Sequence, residues 1–385
     1  MQKGFKCYKK PMIKKGSYKM RWGIASIILC FLMLFQGLEA GRKAPTGNED
    51  VFYKNYAVVD IAQTDMSWEE LSRFNLPISY APRIHSSGDI IYNTRCGGAL
   101  WSSTLEVRRL PFDAKFAHFH AIAKNGTILA SVVEDNGSPS WYLWPSTNCR
   151  KMNAIGIGCH CDDGGRVFYR DLNDAGMVVG TLEKDCGNCL GYYGVMRCPD
   201  GPLNILYPGV AWTISDKGYV YANDSSSCWN KPYLWHPKGG FLILADTCKK
   251  PPGNVKYSNG LFAFDGTVYG SYYCASNPEH HSIFHWEPCY ENFETVTKGG
   301  FRIAAMNSAG TFVGSLNGRA IIQMQGEYPR DLNALIQNPG GDFFLIEATD
   351  INDIGQMVGY GIYKGKTHIF LIEPARKAQK ILISR

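Results

Sequence analysis

The sequence predicts an all-β protein that repeats one β-hairpin along most of its length. The clearest copy spans residues 348–374. There an extended run ends in Asn-Asp-Ile-Gly at 352–355, an apolar run follows, and another begins after a Gly-Lys turn. Glycine adopts the left-handed backbone conformation that closes such turns. The pattern indicates two strands joined by a tight turn, with a further strand after them.

Seven copies of this hairpin align on the turn glycine, at spacings of 38 to 50 residues. The residue four places before the glycine is apolar in every copy, and so is the residue two places after it. The residue four places after it is small in every copy but the first, which has Tyr92. The seven turn glycines, which number repeats one to seven, are Gly88, Gly126, Gly176, Gly218, Gly266, Gly310 and Gly355.

A short aromatic or apolar strand follows each hairpin, at residues 97–103, 140–146, 191–199, 231–237, 281–288, 319–325 and 368–374. A less regular strand comes next in repeats one, three, four and five, at 105–110, 203–207, 241–244 and 292–296. The last repeat lacks it. Residues 51–62, which precede the first repeat, read as that missing strand, so the two ends of the chain are expected to share one unit.

Tandem four-stranded units of about 40–50 residues are typical of a β-propeller, in which each sheet buries its faces against its neighbours. The sequence therefore predicts seven blades in a ring closed by the N-terminal strand, which also protects the edge strands. A β-solenoid and two stacked sandwiches are the alternatives.

The first forty residues read as an export signal peptide. A lysine-rich segment precedes an apolar stretch at 24–35, and Leu38-Glu39-Ala40 resembles a cleavage site. Twelve apolar residues are few for a membrane span, so no stable membrane insertion is expected after cleavage. The predicted organisation is a signal peptide at 1–40, a linker at 41–50, the propeller at 51–374 and a basic tail at 375–385. The protein is expected to be secreted or periplasmic.

The charge of the chain is concentrated in that signal. The formal net charge is +6, but eight basic residues and one acidic residue lie within 1–40. The remainder holds 32 basic and 33 acidic residues. The body therefore has no basic excess for nucleic acid, and no nucleic-acid partner is expected.

Eleven of the 13 cysteines follow residue 40. In an exported protein such density favours disulfides, and Cys228 with Cys248 and Cys274 with Cys289 have spacings that could bridge neighbouring strands. The alternative is a zinc site formed by Cys159, Cys161, Cys186 and Cys189. It is weaker, because only one pair has the C-x-x-C spacing, so no metal and no cofactor is expected.

The last repeat also carries a family likeness. Residues 351–359 read Ile-Asn-x-x-Gly-x-x-Val-Gly, residues 368–371 read His-Ile-Phe-Leu, and Arg-Asp-Leu-Asn-Ala-Leu-Ile at 330–336 precedes them. This combination resembles the extracellular HAF-repeat family. The resemblance implies a secreted bacterial repeat protein of propeller type, and it implies no particular activity.

Common catalytic signatures are missing from the sequence: it has no G-x-S-x-G, H-E-x-x-H, P-loop or EF-hand pattern. If the strand before each turn lines a central channel, the residues five and six places before the glycine lie near it. Charged side chains that converge on a concave site indicate ligand binding, and mutual pairing or exposure to solvent is the alternative. The candidate residues are Arg83, His120, Arg170, Asp171, Trp212 and Asp350.

The sequence thus favours an exported binding or interaction scaffold, with a protein or a carbohydrate as its partner. The alternative is a propeller enzyme, a hydrolase or lyase, that acts on an extracellular carbohydrate-like substrate. It needs two carboxylates facing one pocket, for which Asp171 and Asp350 are the available pair.

Overall fold

The computed structural model contains strands and one short 3₁₀ turn in the part of the chain that it describes. The structure describes residues 56–64, 67, 81–94, 97–102, 105–109, 117–133, 139–144, 155–157, 165–185, 190–223, 232–235, 240–243, 255–262, 267–274, 277–287, 292–324, 327–336 and 343–374. The predicted signal peptide, linker and basic tail lie outside these residues. Among the described residues, no helix has the length and apolar character needed to span a membrane.

The strands, in chain order, are β1 (Tyr56–Gln63), β2 (Arg83–Ile84), β3 (Ile90–Thr94), β4 (Gly97–Ser102), β5 (Leu105–Arg109), β6 (Ala117–Ile122), β7 (Ile128–Val133), β8 (Pro139–Trp144), β9 (Ile155–Ile157), β10 (Arg166–Leu172), β11 (Val178–Asp185), β12 (Leu190–Arg197), β13 (Leu203–Pro208), β14 (Val210–Ile214), β15 (Val220–Asn223), β16 (Pro232–Trp235), β17 (Phe241–Ile243), β18 (Val255–Phe262), β19 (Val268–Cys274), β20 (Asn277–Glu287), β21 (Asn292–Gly300), β22 (Arg302–Met306), β23 (Phe312–Leu316), β24 (Arg319–Gln323), β25 (Arg330–Asp331), β26 (Phe343–Ile351), β27 (Met357–Tyr363) and β28 (Lys366–Pro374).

Within the described residues these strands form seven four-stranded antiparallel sheets. Sheets one to six each take four consecutive strands, beginning with β2–β5 and ending with β22–β25. Sheet seven has the order β1-β28-β27-β26, so the first strand of the chain pairs with the last, from Tyr56 opposite Pro374 to Gln63 opposite His368. The prediction of an all-β fold made of antiparallel sheets is confirmed.

The turn between the first two strands of a sheet has the geometry that its glycine predicts. Gly355 has φ +79°, and its N–H donates to the carbonyl oxygen of Asn352 at 3.0 Å. The same bond and a positive φ recur at Gly88, Gly126, Gly176, Gly218 and Gly310. A left-handed residue is strained unless it is glycine, which explains its repeated use here. Gly266 lies outside the described residues.

A β-bulge interrupts the first strand of most sheets shortly before the turn. The register shifts between Tyr169 and Asp171 in β10 and between Ala348 and Asp350 in β26. The small residue four places after the turn glycine lies opposite the bulge, as Gly359 does opposite Ala348. A Cβ on Gly359 would lie 2.0 Å from the carbonyl oxygen of Glu347. The repeated small residue therefore permits the two strands to approach closely at the bulge.

We expect Gly359→Ala to lower the free energy of unfolding by about 1–3 kcal/mol, because the added methyl group forces β26 and β27 apart. Urea denaturation followed by circular dichroism measures the change. A midpoint equal to that of the wild type would contradict this explanation of the small residue.

The core is divided among clusters that lie between neighbouring sheets. Ile91 and Leu100 of sheet one pack with Phe119 and Ile128 of sheet two. Further clusters join each later sheet to the one after it. Sheets seven and one share a cluster as well. Each sheet therefore buries its faces against its neighbours in the sequence, as the hydrophobic effect requires of single sheets.

Candidate functional site

The hairpin turns of sheets one, two, three, four, six and seven converge on one cavity of about 320 Å³, here called the turn cavity. Its walls are formed by residues at the end of each first strand and in the turn that follows. The corresponding turn of sheet five lies outside the described residues. A volume of this size lies in the range of small-molecule sites.

Three of the six residues predicted to line a channel lie in the turn cavity: Arg83, Asp171 and Asp350. The Nε atom of Arg83 is buried and has no hydrogen-bond partner among the described residues. The positive charge of Arg83 acts on both carboxyl groups, and the Asp171 charge acts on Asp350. The structure therefore places one guanidinium close to two carboxyl groups.

Both aspartates also join one sheet to the next. Oδ2 of Asp171 accepts from Oγ1 of Thr213 at 2.6 Å and from N of Ile214 at 3.0 Å. Oδ2 of Asp350 accepts from N of Ile84 at 3.0 Å, so it links sheet seven to sheet one. A charge-assisted bond to a backbone N–H is a strong interaction, and it satisfies a donor that the first strand leaves unpaired.

Burial raises the pKa of both carboxyl groups above the ordinary value of 3.8, although the hydrogen bonds and Arg83 act in the opposite direction. The folded protein then holds protons that the unfolded chain has already released. The stability from this source is present below pH 3.8 and is lost as the pH rises through the folded-state pKa values.

We therefore expect the double variant Asp171→Asn/Asp350→Asn to lose less stability than the wild type as the pH rises from about 4 to 7. Asparagine keeps an oxygen acceptor but has no proton to release. Urea denaturation at a series of pH values gives the comparison. Parallel pH profiles for the two proteins would contradict the assigned pKa direction.

The other three predicted residues, His120, Arg170 and Trp212, are absent from the cavity wall. They occupy the extra position of the bulges in β6, β10 and β14, where the register shifts. An inserted residue turns its side chain away from the alternation of the strand. Arg170 instead lies over the Trp212 ring, with Cζ 4.6 Å from the ring centroid. His120 bonds through Nε2 to Oγ of Ser131 at 2.8 Å.

The turn asparagines form a set of contacts between sheets that sequence reasoning did not assign. Oδ1 of Asn352 accepts from N of Gln356 at 2.9 Å, while Nδ2 donates to the carbonyl oxygen of His85 in sheet one at 3.1 Å. Asn173 and Asn307 make the same contact to the following sheet, at Ser215 and Asn352. The sequence feature that could have predicted these contacts is the Asn of the Asn-x-x-Gly turn. Repeats one, two, four and five lack this Asn.

The rim of the turn cavity carries both signs of charge. Nζ of Lys124 in sheet two lies 3.3 Å from Oδ2 of Asp216 in sheet four, and its charge also acts on Asp353 of sheet seven. Lys217 is a further cation on the cavity wall. The cavity therefore offers hydrogen-bond donors and acceptors together, without a large excess of either charge.

The cysteine predictions fall almost entirely outside the described residues. Cys159, Cys161, Cys186, Cys189, Cys228, Cys248 and Cys289 lie there, and only the backbone of Cys274 is described. Cys198, which is described, is a free thiol. In the part of the chain that the structure describes, no group of three or more His, Cys, Asp or Glu side chains could hold a metal ion.

No protein-family model and no curated protein matches the chain. Among solved structures, oligogalacturonate lyase from Vibrio parahaemolyticus aligns over 83% of this chain and 97% of its own, with a TM-score of 0.53 and 9% identity. A chain of the mitotic checkpoint complex aligns over 85% and 96%, with a TM-score of 0.50 and 9% identity. The β-propeller domain of the Trilobed protease from Pyrococcus furiosus aligns over 65% and 82%, with a TM-score of 0.46 and 12% identity.

The chain therefore has an all-β fold of antiparallel sheets that is similar to the folds of oligogalacturonate lyase and of a chain of the mitotic checkpoint complex. At these identities the likeness extends to the fold alone, and the same fold supports many unrelated functions. The function has to be argued from the turn cavity.

Proposed function

We propose that the protein is an exported, seven-bladed β-propeller that acts as a binding scaffold and holds a small hydroxyl-rich ligand, such as a carbohydrate, in the turn cavity. The observation that carries the proposal is the position of Arg83. Its buried Nε lacks a hydrogen-bond partner among the described residues, and the cavity also contains two half-buried carboxyl groups.

Two sets of contacts support a closed ring of seven blades. The first joins the two ends of the chain within sheet seven, and the second joins sheet seven to sheet one. β1 pairs with β28, and Nδ1 of His368 lies 2.9 Å from Oδ1 of Asp60 across that pair. Oγ1 of Thr349 donates to the carbonyl oxygen of Pro82 at 2.8 Å, and Nδ2 of Asn352 donates to that of His85. Asp350 accepts from N of Ile84. The predicted export signal and the resemblance to the HAF-repeat family support a location outside the cytosol.

The mixture of charges favours a ligand that both donates and accepts hydrogen bonds. Hydroxyl groups can donate to Asp216 and Asp353 on the rim and accept from Arg83 and the lysines. A ligand with many charges of one sign would meet repulsion from the groups of that sign, which makes a neutral polyol or saccharide the better fit.

Saturation-transfer difference NMR of the mature protein with a panel of neutral and acidic mono- and disaccharides tests this proposal. We expect at least one saccharide to show a transfer effect that saturates as its concentration is raised. A panel without any binder would contradict the carbohydrate assignment.

The second candidate is an enzyme that uses Asp171 and Asp350 as its carboxyl pair. Their common cavity and raised pKa values favour it, since a carboxyl group that keeps its proton can serve as a general acid. Against it, each carboxylate already accepts a backbone N–H bond that joins neighbouring sheets. The scaffold therefore explains more of the geometry. Cleavage of a bound saccharide by the wild type, abolished in Asp171→Asn, would reverse this preference.

A further inference from the structure

A second group of polar residues lies next to the turn cavity without lining it. His118 and His120 lie on β6, Arg170 lies on β10, and Trp212 lies on β14, so three neighbouring sheets contribute. His120, Arg170 and Trp212 share one register position, six residues before their turn glycines. We call these four residues the basic cluster.

Arg170 gives the cluster a positive charge that no carboxylate of the described residues pairs with. Among the described residues, Arg170 has no ion pair, and its Nε atom is buried without a hydrogen-bond partner. The carboxyl group of the neighbouring Asp171 accepts hydrogen bonds from Thr213 and Ile214. The positive charge that acts on it is that of Arg83. A buried N–H group without an acceptor is costly, so an acceptor bound at Nε would stabilise the site.

His120 also has a ring nitrogen without an acceptor among the described residues. Burial, together with the positive charges of His118 and Arg170, lowers the pKa of His120 to about 3. Nδ1 of His120 is also buried and has no partner among the described residues. In the tautomer in which Nε2 accepts from Oγ of Ser131, the neutral ring carries its proton on Nδ1 and can donate it to an oxyanion.

The guanidinium is held in a fixed orientation. It lies over the Trp212 ring, and the His120 ring packs on Trp141 with 4.6 Å between centroids. Arg170, His118 and Trp212 are half-buried, so solvent reaches the cluster. A planar guanidinium stacked on an aromatic face keeps its N–H edges available for the two oxygens of a carboxylate, phosphate or sulfate.

We propose that the basic cluster is an oxyanion-binding site, separate from the turn cavity, in which Arg170 and His120 donate to the oxygens of a small anion. This site does not depend on the proposed carbohydrate binding. A variant that loses oxyanion binding is therefore expected to keep saccharide binding, and the reverse.

Equilibrium dialysis of the mature protein against radiolabelled inorganic sulfate, with chloride holding the ionic strength constant, tests the site. We expect saturable binding with a Kd of about 1 mM or tighter. Arg170→Gln should weaken it at least about tenfold, and Arg170→Lys should weaken it less, because charge remains while the paired donors are lost. Competition by inorganic phosphate and by acetate shows whether tetrahedral or carboxylate oxyanions are preferred.

Arg319→Gln is the matched control, since Arg319 already pairs with Asp331 at 2.7 Å on another sheet. Its sulfate affinity should equal that of the wild type. If Arg170→Gln does not fold, His118→Ala replaces it and should weaken binding several-fold. Non-saturable sulfate uptake, or equal affinity in the cluster variant and the control, would overturn the proposal.

Discussion

The variant Arg83→Ala is expected to bind its saccharide between about tenfold and a hundredfold more weakly than the wild type. Arg83 provides a cationic donor within the turn cavity, and hydrogen bonds to charged groups contribute about 1.5–3 kcal/mol. Isothermal titration calorimetry with the tightest saccharide of the panel measures the loss.

Two controls separate ligand binding from stability. Arg319→Ala removes an arginine of sheet six whose side chain bonds to Asp331, so it should leave the affinity unchanged. Arg83→Lys keeps the charge but not the planar set of donors, so it should give an intermediate affinity. Equal affinities in Arg83→Ala and the wild type would place the ligand elsewhere.

The largest effect on stability is expected for Asn352→Ala, with a loss of about 3 kcal/mol in the free energy of unfolding. The buried amide of Asn352 accepts from N of Gln356 and donates to Oε1 of Gln356 and to the carbonyl oxygen of His85. Alanine removes all three bonds and with them a contact between the last and the first sheets. Urea denaturation followed by tryptophan fluorescence measures the loss.

An exposed asparagine provides the matched control for that experiment. Asn204 makes a 3.4 Å bond to the carbonyl oxygen of Pro202 at the surface, and Asn204→Ala should change stability by no more than about 0.5 kcal/mol. Asn352→Asp keeps the Oδ1 acceptor but loses the donor to His85, so an intermediate loss is expected. A loss in Asn352→Ala no larger than that in Asn204→Ala would show that the turn amide does not hold the two sheets together.

The parts of the fold that depend on local backbone chemistry could be predicted from the sequence. Gly355 and the equivalent glycines marked the turns, and the apolar residues around them marked the strands. β9 and β25 were missed, because β9 has a glycine at its centre and β25 consists of two charged residues, neither of which is typical of a strand. They pair at the edges of sheets two and six, where neighbouring strands rather than their own pattern determine them.

The candidate site could be predicted only in part, for a related reason. Spacing alone gives the residues five and six places before the turn glycine the same expected position near the channel. The bulge instead directs their side chains to different places. Asp171 and Asp350 therefore line the turn cavity, while Arg170 and His120 do not. A bulge depends on how two strands pair, and no residue type in β10 or β26 predicts its position.

The residues of the last repeat that resemble the HAF-repeat family make structural contacts between sheets. Oδ1 of Asp331 accepts from N of Asn333, and the Asn333 amide bonds to both backbone groups of Leu345 in sheet seven. The Asn352 turn joins sheet seven to sheet one. The residues that stand out in the sequence therefore connect neighbouring sheets, whereas Arg83 lies in a repeat where the pattern is weak.

The most direct test of the account is a crystal structure of the mature protein with the tightest-binding saccharide. We predict a closed ring of seven blades with the saccharide in the turn cavity and one of its oxygens within hydrogen-bond distance of the Arg83 guanidinium. A saccharide bound on another face, or a ring open between sheets seven and one, would contradict it.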